Sequence, residues 1–360
     1  MPKKNLIIVA TIGIIIVVGA IIFNYFKPDE NFVLNFIKDN PDRSAIQLFR
    51  NDELIAERNP NKLMPLASTV KVTVAIEYAV QASENKIDPN EEISIDELSK
   101  FYVPGTDGGA QSKWLESVKD KIKDNKIPIR EIAKGMLFFS SNANTEWLTD
   151  KLGLDNINKR IKSLGIKDHT RFYYIVSSLF VGKEKFPSLK GEELAQKIRF
   201  LSLDDYIKTT NTIHSKLLND ADYKNDIGDF GTDIQKVWSD NLPSSTVKEY
   251  AGIMKKINSR TYFDPKTRKY LDEVMKELTE DPAIKKQFKH AGMKGGSTPF
   301  VSTKALYATD KEGNTTELAY FFNDLNFLEG TKLRVSKSKF ELKILTSEEF
   351  RNKIKSELKN

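Results

Sequence analysis

The 360-residue chain has no cysteine, which excludes disulfides, a thiol nucleophile and thiolate metal sites. It has three histidines, His169, His214 and His290, scattered and without the His-Glu-x-x-His spacing of a zinc hydrolase. No Gly-x-Ser-x-Gly elbow announces a serine–histidine–acid triad, and no glycine-rich phosphate loop is present. Zinc-finger spacing, an RNA-binding signature and a clustered basic arm are missing too, so no nucleic-acid partner is expected. Neither charge dominates: 56 Lys+Arg against 50 Asp+Glu leave a formal +6, read as a solvated basic face. Nothing in the sequence calls for a metal or a cofactor.

Long apolar runs are also scarce, with one exception. Lys3 and Lys4 precede Leu6 to Phe23, 18 uncharged and almost wholly apolar positions, enough to cross a bilayer core as a helix. The run exceeds an ordinary signal-peptide core and no small-x-small cleavage site follows it. The leading lysines favour a cytoplasmic N-terminus. The expected organisation is a stub, signal anchor and linker over residues 1–29, then an exported domain over 30–360. The protein is thereby expected at the cell membrane as a single-pass protein with an extracytoplasmic body.

With 39% hydrophobic residues over its whole length, the chain can bury a sizeable core. Residues 44–50 and 54–58 flank the polar turn Asn51-Asp52-Glu53 and read as a β-hairpin. Residues 304–309 and 316–323 read as a second hairpin around Asp310 to Asn314. Helices are expected from Ser68 to about Ser83, over 128–139, 145–152, 203–218, 247–257 and 265–279, and from Ser347 to Leu358. Strands near both ends with helices between them imply one sheet shared by the termini and flanked by a helical region.

The segment Met64-Pro65-Leu66-Ala67-Ser68-Thr69-Val70-Lys71 carries the chemistry. Lys71, three residues after Ser68, shares its helical face. Val70, Val72, Val74 and Ile76 surround the pair with apolar side chains. Desolvation lowers a lysine's pKa, and a neutral amine can take the proton of a serine nucleophile. The spacing itself is common, recurring at Ser83/Lys86, Ser245/Lys248 and Ser336/Lys339, where a helix cap and a solvated lysine suffice. Only Ser68 opens a helix apolar enough for a domain centre.

Two further stretches supply what a serine–lysine pair lacks. Ser140-Ser141-Asn142 sits between two apolar helices, with a hydroxyl able to pass a proton and an amide able to hold Lys71 or a substrate amide. Ser239-Asp240-Asn241 competes for this place but reads as a surface loop. His290-Ala291-Gly292-Met293-Lys294-Gly295-Gly296-Ser297-Thr298 offers a fixed cation and a glycine strand that lets backbone approach closely.

Together these segments resemble the class A β-lactamase-like family of penicillin-recognising serine enzymes, whose signature is Ser-x-x-Lys, Ser-Asp-Asn and Lys-Thr-Gly in this order. The likeness covers roughly residues 32 to 358. It implies a mixed α/β (α+β) fold, a five-stranded antiparallel sheet flanked by helices plus an all-helical subdomain. By the same resemblance, Ser68 is acylated, Lys71 is its base and Ser140 relays the proton. Asn142 binds the substrate amide, Lys294 binds its carboxylate, and the backbone N–H groups of Ser68 and Ser297, beside Gly296, form the oxyanion hole. The implied partners are a small-molecule or cell-wall peptide substrate and the bacterial membrane.

Three positions depart from the family pattern. Ser141 stands where the family has aspartate. Gly295 stands where it has a hydroxyl residue, so a carboxylate contact is lost unless Ser297 or Thr298 supplies it. Most consequentially, Arg171 to Phe180 contains no acid where class A enzymes carry a water-activating glutamate, and Glu184, Glu192 and Glu193 follow in what reads as an exposed insertion. Acylation is therefore expected without rapid deacylation: a slow β-lactamase or a D-alanyl-peptidase-like hydrolase. The competing expectation is an acylated or ligand-binding sensor domain without turnover.

Overall fold

The computed structural model describes residues 25–275 and 282–358. Leu6 to Phe23 lie outside the described residues. Among those described, no helix is long and apolar enough to cross a membrane.

Five antiparallel strands form the central sheet: β1 (Ser44–Arg50), β2 (Glu53–Arg58), β3 (Phe288–Ser297), β4 (Ser302–Asp310) and β5 (Thr315–Phe322). Their spatial order is β2-β1-β5-β4-β3, which joins the two chain ends through the β1–β5 pair. Side chains alternate between the two faces with the period of a pleated strand. Ile46, Leu48, Leu306, Leu318, Tyr320 and Phe322 bury against one layer. Ala45, Ala305, Tyr307, Ala319 and Phe321 bury against the other. Because both faces are covered, β4 and β5 are buried almost throughout.

The first layer holds the helices α1 (Glu30–Asp39), α5 (Phe327–Thr346) and α6 (Glu348–Glu357). The second is the helical region, with α2 (Lys71–Ser83), α3 (Asn142–Leu152) and α4 (Val247–Asn258) at its centre. Every residue of α2 from Lys71 to Ala82 is buried, its polar stripe of Thr73, Glu77 and Gln81 satisfied by hydrogen bonds to Val70 O, Arg160 and Leu152 O. Both expected hairpins and the terminal helix, capped by Ser347, are present.

Some details differ from the sequence reading. Ser239–Asn241 is the last turn of a helix, Thr232–Asn241, and Ser239 is fully buried, so it is no surface loop. Lys183 to Glu193 begins and ends in helices, Val181–Lys185 and Gly191–Arg199. Ser245, expected as no more than a helix cap, pairs with Met64 at the entrance to Ser68, and Thr246 caps the helix instead. The helices α1 and α5 were not anticipated. In α5 polar residues are buried among the apolar ones and blur the helical stripe: Lys332 donates to Lys27 O, Ser336 accepts from Asp29 N, and Glu341 accepts from the Tyr320 hydroxyl.

Candidate active site

Ser68 sits on a tight 3-10 turn, Ala67–Val70, that leads directly into α2. The entry is pinned from behind, where Met64–Pro65 pairs with Ser244–Ser245 and Leu66 N donates to Pro243 O. Ala67 adopts φ 45°, a left-handed conformation that costs a non-glycine residue about 1–2 kcal/mol. That reversal ends the extended entry and turns the chain into the helix, leaving Ser68 only half-buried between buried neighbours.

Lys71, one turn on, is completely buried. Its ammonium donates to Ser140 O at 2.7 Å and Asn142 Oδ1 at 2.8 Å, and lies 3.4 Å from Ser140 Oγ. Burial holds its pKa well below the lysine value, the nearby charge of Lys294 adds to the effect, and Asp107 opposes it. The motif that receives Lys71 is itself rigid. A wide turn, Gly135–Phe139, ends at Ser140 with φ 68°. Ser141 then caps α3 by accepting from Asn144 N at 3.0 Å, and its hydroxyl donates to buried Gln111. Serine thus does the capping work that an aspartate would also do, so the Ser141 departure leaves the turn intact.

The glycine strand closes the site. Lys294, almost fully buried, donates to Leu137 O at 2.9 Å, inside the wide turn that leads to Ser140. At Gly296 a Cβ would lie 2.5 Å from Ser68 N and 2.6 Å from Leu66 O, so only glycine lets β3 reach the Ser68 turn. Thr303 on β4 secures the same junction, donating to Leu66 O at 2.7 Å and lying 2.8 Å from Thr69 Oγ1. Ser68, Lys71, Ser140, Asn142, Lys294 and Gly296 therefore form one connected cluster, with Ser297 exposed at the end of β3. Thr298 Oγ1 accepts from Phe300 N and Val301 N at 3.1 Å each, which fixes it in the turn after β3.

Several residues that matter here escaped the sequence reading. Asp107 accepts from Gly109 N and Gln111 N, fixing the start of the helix Ala110–Val118 that presents Gln111 to Ser141. Lys304 lies opposite Gly295, and a Cβ on Gly295 would stand 3.4 Å from its Cε and 3.6 Å from its Nζ. Its amine lies 3.1 Å from Met293 Sδ and 3.6 Å from Glu341 Oε2. This second cation is thus on the face of the sheet that packs against α5, away from Ser68. Asp107 stands in a short glycine-rich loop, and nothing local in the sequence ties it to the site.

The loop 171–180 is held by Glu146, on α3 one turn beyond Asn142. Its carboxylate accepts from Val176 N at 2.8 Å, Ser177 N at 3.0 Å and Ser177 Oγ at 2.5 Å. His214 lies 3.4 Å from Glu146 Oε1 and 3.0 Å from Asp150 Oδ1, with Tyr174 stacked on its ring at 3.6 Å. Burial alone would lower the imidazole's pKa, but hydrogen bonds to Asp150 and Glu146 outweigh it and push the value up to about 9. The buried carboxylate of this region is thus committed to holding the loop. Glu192 and Glu193 are exposed on the first turn of their helix, and Glu184 pairs with Lys216.

This arrangement of sheet, serine–lysine pair and glycine strand defines a serine-hydrolase fold of β-lactamase type. The chain belongs to the beta-lactamase enzyme family, whose pattern matches residues 32–324. No curated protein sequence matches it. Among solved structures it is similar to a class A β-lactamase representative from Bacteroides cellulosilyticus, with 18% identity and TM-score 0.52 over 89% of this chain and 99% of that one. It is also similar to a β-lactamase from Chitinophaga pinensis, with 16% identity and TM-score 0.54 over 87% and 98% of the two chains. The chromosome-encoded β-lactamase of Vibrio parahaemolyticus matches at 12% identity and TM-score 0.54, over 89% and 100%. At such identities the likeness speaks for the fold.

Proposed function

We propose that the protein is an exported, membrane-tethered serine hydrolase that forms an acyl-Ser68 intermediate with β-lactams or D-alanyl-peptide-type amides. The observation that carries this is the buried, pKa-depressed Lys71 held between Ser140 and Asn142, one turn from a Ser68 against which Gly296 packs. Neutral Lys71 takes the Ser68 proton as Oγ attacks the substrate carbonyl carbon. The N–H groups of Ser68 and Ser297 receive the developing oxyanion. Ser140, 3.4 Å from Lys71 Nζ, passes that proton to the leaving nitrogen, and the C–N bond breaks. Lys294 holds a substrate carboxylate, and Asn142 orients the substrate amide.

The second half-reaction needs an activated water. The loop that would supply its base presents Val176 and Ser177, and Glu146 is occupied in binding them. Acylation therefore outpaces deacylation. The test is intact mass after adding a labelled penicillin to the wild type and to Ser68→Ala. A single adduct on Ser68, absent from the variant, is the expected result; no adduct on the wild type contradicts the proposal.

A further inference from the structure

The membrane tether, itself part of the function proposed above, enters the folded body along a defined line. Glu30 forms an ion pair with Lys339 at 2.7 Å, Asp29 N donates to Ser336 Oγ at 3.1 Å, and Lys27 O accepts from Lys332 Nζ at 2.7 Å. Read backwards from Glu30, the chain thus follows α5 toward its first turn. The Tyr25 ring sits 5.4 Å from Lys332 Nζ and 5.0 Å from the ring of Phe26. The segment is fastened at three successive points and is no loose linker.

The apolar run ends at Phe23, two residues before Tyr25, and two residues span at most about 7 Å. The headgroup layer on each side of a bilayer is about 5–8 Å thick. A body fastened this close to the run must lay one of its own faces against the lipid. One helical turn before Lys332, about 5.4 Å, stands Leu328. It is 55% exposed and its neighbour Phe327 80% exposed, with Tyr25 at 39%. Arg334 and Lys27 are exposed beside them. Aromatic and apolar side chains with basic neighbours suit the boundary between acyl chains and anionic headgroups.

We infer that Tyr25, Phe327 and Leu328 form a contact face that rests in the headgroup layer of the membrane and fixes the body's orientation over it. The Pro299 carbonyl oxygen lies next to α5, 3.8 Å from where a Cβ on Gly330 would be, so the turn after β3 is carried close to the same surface.

The chain has no cysteine, so single cysteines can be labelled in the full-length protein. Phe327→Cys, Leu328→Cys and Glu312→Cys would each carry an environment-sensitive fluorophore in phosphatidylglycerol–phosphatidylcholine vesicles. Glu312 lies in the turn at the far end of β5, eight residues or about 26 Å of strand away. The expected result is blue-shifted emission and strong quenching by headgroup-proximal nitroxide lipids at 327 and 328, with neither at 312. Protein that floats with the vesicles but is quenched equally at all three positions overturns the contact face alone. Protein that fails to float with them overturns the tether and the face together.

Discussion

Replacing Gly296 by alanine separates the geometry of the site from the stability of the fold. The added Cβ would lie 2.5 Å from Ser68 N, 2.6 Å from Leu66 O and 2.8 Å from Thr303 Oγ1. Ordinary contact with such atoms begins near 3.5 Å, so β3 and the Ser68 turn must part by about 1 Å. Two of the three neighbours are backbone atoms, which no rotamer change can move. Displacement of this size costs about 10²-fold in a positioned reaction, and losing an oxyanion donor costs about 10²–10³-fold. Gly296→Ala should therefore acylate about 100-fold more slowly, while overpacking lowers stability by about 1–3 kcal/mol. Gly252→Ala is the control. It lies inside α4 with nothing within 4 Å of the new Cβ, and should gain about 0.5–1 kcal/mol without touching the rate. The assay is the second-order rate of adduct formation by mass, beside thermal unfolding. A Gly296→Ala protein that folds and acylates near the wild-type rate would refute the close approach of β3 to Ser68.

Three other outcomes follow from the same structure. Because Lys71 must be neutral to accept a proton, acylation should rise as pH climbs through a pKa well below 10.5, and Lys71→Arg should lose that limb of the profile. His214 has a folded pKa raised from 6.5 to about 9, so its stabilisation is full below 6.5 and disappears as pH rises toward 9. That contribution is at most roughly 3 kcal/mol, and urea titrations should show His214→Gln flattening it. Lys294→Met should raise KM about tenfold for substrates with a carboxylate and by much less for their neutral esters, on the scale of a charge-assisted hydrogen bond.

What could be read in advance depended on whether a residue's role is local. α2 is largely apolar, which marked Ser68 among the recurrences of its spacing, and the structure buries every residue from Lys71 to Ala82. Ser140-Ser141-Asn142 declared itself as a cap between helices and forms one, with Ser141 accepting from Asn144 N. The sheet, its two hairpins and the union of the termini were visible in the strand patterns and the family likeness. By contrast, Lys304 meets Gly295 across a strand pair, and Gln111 reaches Ser141 over thirty residues of chain, so neither contact leaves a local trace. The helix α5 had one legible signal, the capping box of Asn326 and Glu329, but buried Lys332, Ser336 and Glu341 broke its apolar stripe. Ser239 read as loop by composition, yet it is on the buried side of a helix, a place set by tertiary packing.

The central claim is that the site is complete for acylation and lacks the base for rapid deacylation. Rapid mixing of excess enzyme with a labelled penicillin, sampled by intact mass from acylation through decay, measures both steps in one experiment. Near-stoichiometric adduct on Ser68 that forms quickly and is released far more slowly is the expected result. Product release that keeps pace with acylation, with no adduct accumulating, would contradict it and would require a water-activating group outside the loop 171–180.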